Sequence, residues 1–139
     1  FDMLQAMNTG HEGSMSTIHA NSARDAMMRL ENMLGMAGMN SQPRVMRSQI
    51  SSAINVVVQI ARLTDGKRKV VSLQEITGME GDVITMQEIF GFRQTGVSDT
   101  GIVQGHFSAS GVRPKFGDRL HACGINLPDS LFDPNNRFE

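Results

Sequence analysis

The sequence predicts an α/β protein, and two observations carry that expectation. The first is a change of period along the chain: helical spacing dominates to about residue 54, after which three strand-like runs follow one another. The second is the order of elements, helix, strand, helix, helix and then a β-meander, which fits half of a layered α/β domain better than a complete one. A parallel sheet needs more strands than one, so further strands are expected before Phe1, where the chain opens already in helical spacing.

The first element, "FDMLQAMNTG", sets Met3, Leu4 and Met7 on one helical face and ends at Asn8, Thr9 and Gly10, a C-terminal stop. The next run, Ser14 to His19, is short and β-branched at Thr17 and Ile18, which predicts a buried strand. "NSARDAMMRLENMLGMAG" returns to helical spacing, with Ala23, Ala26, Met27, Leu30, Met33 and Leu34 inward. Asn21 or Ser22 is the N-cap, Asp25 suits the positive end, and Gly35 and Gly38 close the helix. A further helix starts near Ser41 with Pro43 in its first turn, and faces Met46, Ile50, Ala53 and Ile54 inward.

Strands are predicted over Asn55 to Leu63, Lys69 to Thr77 and Val83 to Phe92, joined at the turn pairs Asp65-Gly66 and Gly81-Asp82. Beyond Gly91 the composition turns to Gly, Ser, Thr and Gln, with a short strand around Ile102 to Phe107 and a small helical tail in "VRPKFGDRLHACGINLPDSLF".

Composition narrows the function. A length of 139 residues is about one domain. The net charge of −1 with scattered basic residues argues against the cationic stripe of a nucleic-acid binder. The longest apolar run, Ile54 to Ala61, is broken by Asn55 and Gln59 and is far short of the ~20 residues of a membrane-spanning helix. Eleven Met with neither Trp nor Tyr predict a pliable core. Cys123, the one cysteine, reads as a buried and inert thiol.

The chemistry concentrates in "TGHEGSMSTIHAN", Thr9 to Asn21, which carries His11 and His19. Extended at ~3.3 Å per residue, Ser14 to His19 alone spans roughly 17 Å. One metal ion could therefore join both histidines only if the chain doubled back at Gly13, and no Cys or carboxylate stands at a helpful ligand spacing. No Gly-x-Ser-x-Gly elbow supports a serine hydrolase. Period two sets Met15, Thr17 and His19 on one face of the strand, with His19 at its carboxyl end, where open α/β sheets bind ligands. An imidazole there could donate a hydrogen bond to a phosphate or a water; a structural histidine held by backbone contacts is the competing reading.

The segment "DMLQAMNTGHEGSMSTIHANSARDAMMRLENM", Asp2 to Met33, resembles the His-box region of the type II/type IV secretion ATPases, most closely the Flp/Tad pilus-assembly group. The closing "GVRPKFGDRLHACGINLPDSLF" is similar to the tail of that group, so the resemblance runs nearly end to end. It implies the C-terminal part of a RecA-like P-loop ATPase: residues 1–95 as the C-terminal half of the core, with the His box at 9–21 and the meander at 55–92, and 96–139 as a C-terminal extension.

The resemblance further implies a homo-hexameric motor that hydrolyses ATP with Mg²⁺. It would be cytoplasmic, peripheral to the inner membrane, and would engage a platform protein of a pilus or secretion machine rather than nucleic acid. His19 and His11 are the implied catalytic residues, with Thr17, Thr9 and Gly10 contacting the nucleotide and no protein metal ligand in this chain. The family's Walker A loop and Walker B strand precede the His box, and no G-x-x-x-x-G-K-[ST] occurs in the sequence, so these 139 residues alone are expected to bind no ATP or Mg²⁺ and to be inactive. A non-catalytic interaction module is the rival reading.

Other polar residues have structural explanations. Arg29 suits a solvated helix face, and Arg62, Lys67, Arg68 and Lys69 a hairpin tip. Arg113, Lys115 and Arg119 flank Phe116 and are expected to pack the tail.

Overall fold

A computed structural model describes residues 14–38 and 42–138. The helix expected at Met3 to Met7 and the cap expected at Ser41 lie outside the described residues. The elements are α1 (Ala23–Met36), α2 (Pro43–Ala53), β1 (Val56–Arg62), β2 (Arg68–Glu80), β3 (Val83–Val97), β4 (Val103–Ala109), α3 (Phe116–Ala122), a 3-10 turn (Asp129–Phe132) and β5 (Arg137–Phe138). The five strands form one sheet in the order β1-β2-β3-β4-β5, which is a meander. The protein is thus α/β, with the strands where the change of period predicts them. No described helix is long and apolar enough to cross a membrane.

Two compact units divide the described residues. The first takes those up to Val57 together with Ile76–Met86; the second takes Val58–Glu75 and the residues from Gln87 onward. In the first, α1 buries Ala23, Ala26, Met27, Leu30 and Leu34, and α2 buries Met46, Ile50 and Ala53. Most of these side chains meet Ile76 and Ile84 in one cluster, flanked by Ile18, Ala20, Ile54, Val57 and Met86. Met33 departs from expectation: it is 48% exposed, because the buried stripe of α1 is narrow and ends at Leu34 on the adjoining side. The helix also runs through Gly35 to Met36, and Gly38, at φ 90°, comes after its C-cap. Only a positive φ calls for glycine, so Gly38 and not Gly35 marks the stop.

Polar contacts tie the rim of this unit. Arg47 donates to the Glu31 carboxylate and to the Asp82 carbonyl, each at 3.0 Å, so one guanidinium joins α1, α2 and the β2-β3 turn. The Glu31 hydrogen bond and charge raise the Arg47 pKa above its usual value. Arg24 donates to the Ile84 carbonyl at 2.7 Å.

In the second unit the turn after β1 is closed by bonds from Leu63 N to the Lys67 carbonyl and from Gly66 N to the Leu63 carbonyl, with Gly66 at φ 83°. The Asp65 carboxylate accepts from Lys67 N and Val103 N, both at 2.9 Å. β3 pairs antiparallel with β4, Phe92 opposite Phe107, and a bulge shifts the register between Gln94 and Gly96. β3 runs to Val97, beyond the expected Phe92, because β4 pairs with it along that length. Gly105 lies opposite Gln94, and a β-carbon there would collide with the Arg93 carbonyl oxygen. The tail places Phe132 in a cluster with Ile89 and Ala109, with Leu73, Phe90, Phe116, Leu127 and Leu131 around it. Arg113 packs as expected, its guanidinium over the Phe132 ring and paired with Asp129. Cys123 does not: its thiol is exposed, at the C-cap of a short helix none of whose residues is fully buried.

Candidate functional site

The residues leading into α1 form the candidate site. Ser22 is extended, at φ −153° and ψ 168°, and its hydroxyl accepts from Asp25 N at 3.1 Å, capping α1. This satisfies one of the amides that a helix start leaves without an intrahelical acceptor. Behind it, Arg24 holds the first turn to β3 through the Ile84 carbonyl. Sequence reasoning missed this positioning role; a cation two residues after a cap carries no pattern to mark it.

The strand expected at Ser14 to His19 is not formed. Residues 14–20 take no regular structure and are largely exposed, Met15 at 92%. A β-strand exists through its ladder, and the five described strands pair with one another and not with this segment. The alternation nevertheless survives from Thr17 to Ala20: Thr17 and His19 are exposed, while Ile18 and Ala20 are half-buried against the helical cluster. Two apolar anchors therefore hold a hydroxyl and an imidazole on the outer side, two residues apart and close in sequence to a capped helix start. Thr9, Gly10 and His11 lie outside the described residues.

Both exposed groups can donate and accept hydrogen bonds, which suits contact with phosphate oxygens or water. They offer no carboxylate for a cation. Among the described residues no three His, Cys, Asp or Glu side chains come together. Arg29 is exposed on α1, consistent with a solvated face.

Comparison with known proteins bears on this same stretch of chain. Similar proteins include one named for conjugal transfer in Mycobacterium tuberculosis, 33% identical over 72 residues, which are 52% of this chain and 20% of that protein. The conjugal transfer protein TrbB of Rhizobium radiobacter is 38% identical over 66 residues, 48% of this chain and 19% of its own. The type IV secretion system protein PtlH of Bordetella pertussis is 37% identical over 78 residues, 52% and 23% respectively. The chain thus spans about a fifth of the length of the curated relatives it matches. A family profile, type II/IV secretion system protein, matches residues 1–107, from before the histidine segment through β1, β2 and β3 and most of β4. That span is well over half of the chain, and the protein belongs to the type II/IV secretion system protein family.

Proposed function

We propose that this chain is the C-terminal part of a RecA-like P-loop ATPase, one subunit of a homo-hexameric motor that drives Flp/Tad-type pilus assembly or type II/IV secretion. In this reading residues 1–95 complete the nucleotide-binding core and 96–139 extend it. The whole protein binds ATP with Mg²⁺, works in the cytoplasm against the inner membrane, and pulls on a platform protein there. The single observation that carries the reading is the family match over residues 1–107, which includes the exposed Thr17 and His19.

Within the site, His19 would donate a hydrogen bond toward the γ-phosphate or the attacking water, with Thr17 beside it and His11, Thr9 and Gly10 completing the wall. Ile18 and Ala20 fix the height of the segment by packing inward, and the Ser22 cap fixes where α1 begins. Bound nucleotide supplies the phosphoryl chemistry; the chain's own contribution is hydrogen bonds aimed at developing charge. Such donors matter most in the transition state.

The test is ATP turnover by the full-length protein. His19→Ala is expected to lower kcat on the order of 10²-fold while ATP affinity changes little. Unchanged turnover removes His19 from the site. A full-length protein that neither binds nor hydrolyses ATP overturns the motor and favours a non-catalytic interaction module.

A further inference from the structure

Glu75 is a charged residue in the middle of β2 and is only 3% exposed. A carboxylate so placed must be compensated by hydrogen bonds, or its desolvation would oppose folding. Three donors reach it. Gln87 Nε2 and the Lys115 amide donate to Oε1 at 2.9 and 2.8 Å, and the Phe116 amide donates to Oε2 at 2.7 Å. Two of the three are backbone groups of the tail, at the start of α3, where amides have no acceptor within the helix.

The tail is closed on itself at its far end. Arg113 bonds the Asp129 carboxylate and the Leu127 carbonyl, and its guanidinium lies 5.2 Å from the centre of the Phe132 ring. Residues 113–132 therefore form a loop with its own closure, resting on β3 and β4 through Phe116, Leu127, Leu131 and Phe132. The Phe90 and Phe132 rings lie 5.7 Å apart. This loop follows the residues matched by the family profile, whereas Glu75 lies within them.

We propose that residues 113–132 are a strap that leaves the sheet as a unit, and that Glu75 is its fastening. The chemistry of the fastening is specific to a carboxylate. Glutamine has the same length but replaces one oxygen with a donor, which would face a backbone N–H or the Gln87 amide and leave at least one bond unmade. The apolar contacts remain in such a variant, so it separates the fastening from the packing.

Native-state hydrogen exchange of the full-length protein tests this directly. In the wild type the strap amides are expected to exchange together, through an opening that leaves β3 and the helices α1 and α2 protected. In Glu75→Gln, exchange across the strap is expected to accelerate by about 10-fold or more, as loss of hydrogen bonds to a charge predicts, with α1 and α2 unchanged. Unchanged strap exchange in the variant overturns the role of Glu75. Strap amides that exchange in the wild type only together with β3 overturn the strap itself, and this result needs no variant to fold.

Discussion

The helical unit and the sheet-and-tail unit bury their apolar residues by different means. In the first, two amphipathic helices supply most of the core, and each stripe can be found from the spacing of its own residues. Its charged groups stay at the rim, as in the Arg47–Glu31 pair. In the second, the fully buried cluster is small, and it is completed by a tail fixed through a carboxylate 40 and 41 residues away in sequence. The first core rests mainly on stripes contained within single helices, whereas the second is completed by a segment distant in the sequence.

The largest test of this contrast is a pair of substitutions. Ile50 and Ile89 are each 0% exposed, one in each unit. Ile50→Ala and Ile89→Ala are each expected to cost about 2–5 kcal/mol, measured by denaturant unfolding of the full-length protein. Exchange protection should fall mainly in the unit that carries the substitution. Equal losses in both units from either change would show that the two unfold together, and the contrast would fail.

A smaller effect is expected at the helix cap. Ser22→Ala removes the acceptor for Asp25 N and should cost about 1 kcal/mol, with fraying of the first turn of α1 and no change in β3 or β4. If the loss is instead spread over the sheet, the helical unit is less self-contained than its packing indicates.

The smallest concerns acid. Backbone hydrogen bonds from Lys67 and Val103 hold the Asp65 carboxyl below its usual range. An unfolded aspartate titrates near about 3.9. Ionised Asp65 therefore adds stability above that pH, and the contribution is lost as pH falls through the lower folded value. Asp65→Asn should flatten the acid side of the stability profile, leaving the neutral side nearly parallel to wild type. An unaltered acid slope would mean that these two bonds do not favour the ionised form.

The helices and the meander were legible because their signals are local. Pro43 at the first helical position, the Ser22 cap and the Asp65-Gly66 turn each act within a few residues. Ser14 to His19 departs from the strand its residue types predict for the opposite reason. Thr17 and Ile18 favour extension, but a strand also needs a neighbour, and a β-branched pair says nothing of whether one is present. Thr17 and His19 nevertheless share the exposed side, because Ile18 and Ala20 pack inward against the helical cluster. Glu75 carries no local signal, because a glutamate in a strand ordinarily faces water; only the donors of Lys115 and Phe116 reveal it as buried and held.

By itself, then, the sequence determined the order of elements from α1 through β4, most of the buried faces of both helices, the turns of the meander and the segment on which the functional proposal rests. Each of these depends on dihedral preferences or on periodicity over one element. Tertiary structure alone decided that residues 14–20 stay outside the sheet, that Met33 and Cys123 face solvent, and that a carboxylate in β2 holds the tail. Those outcomes depend on which groups meet across long stretches of chain, where hydrogen-bond satisfaction and burial are settled by the partner and not by the residue's own type.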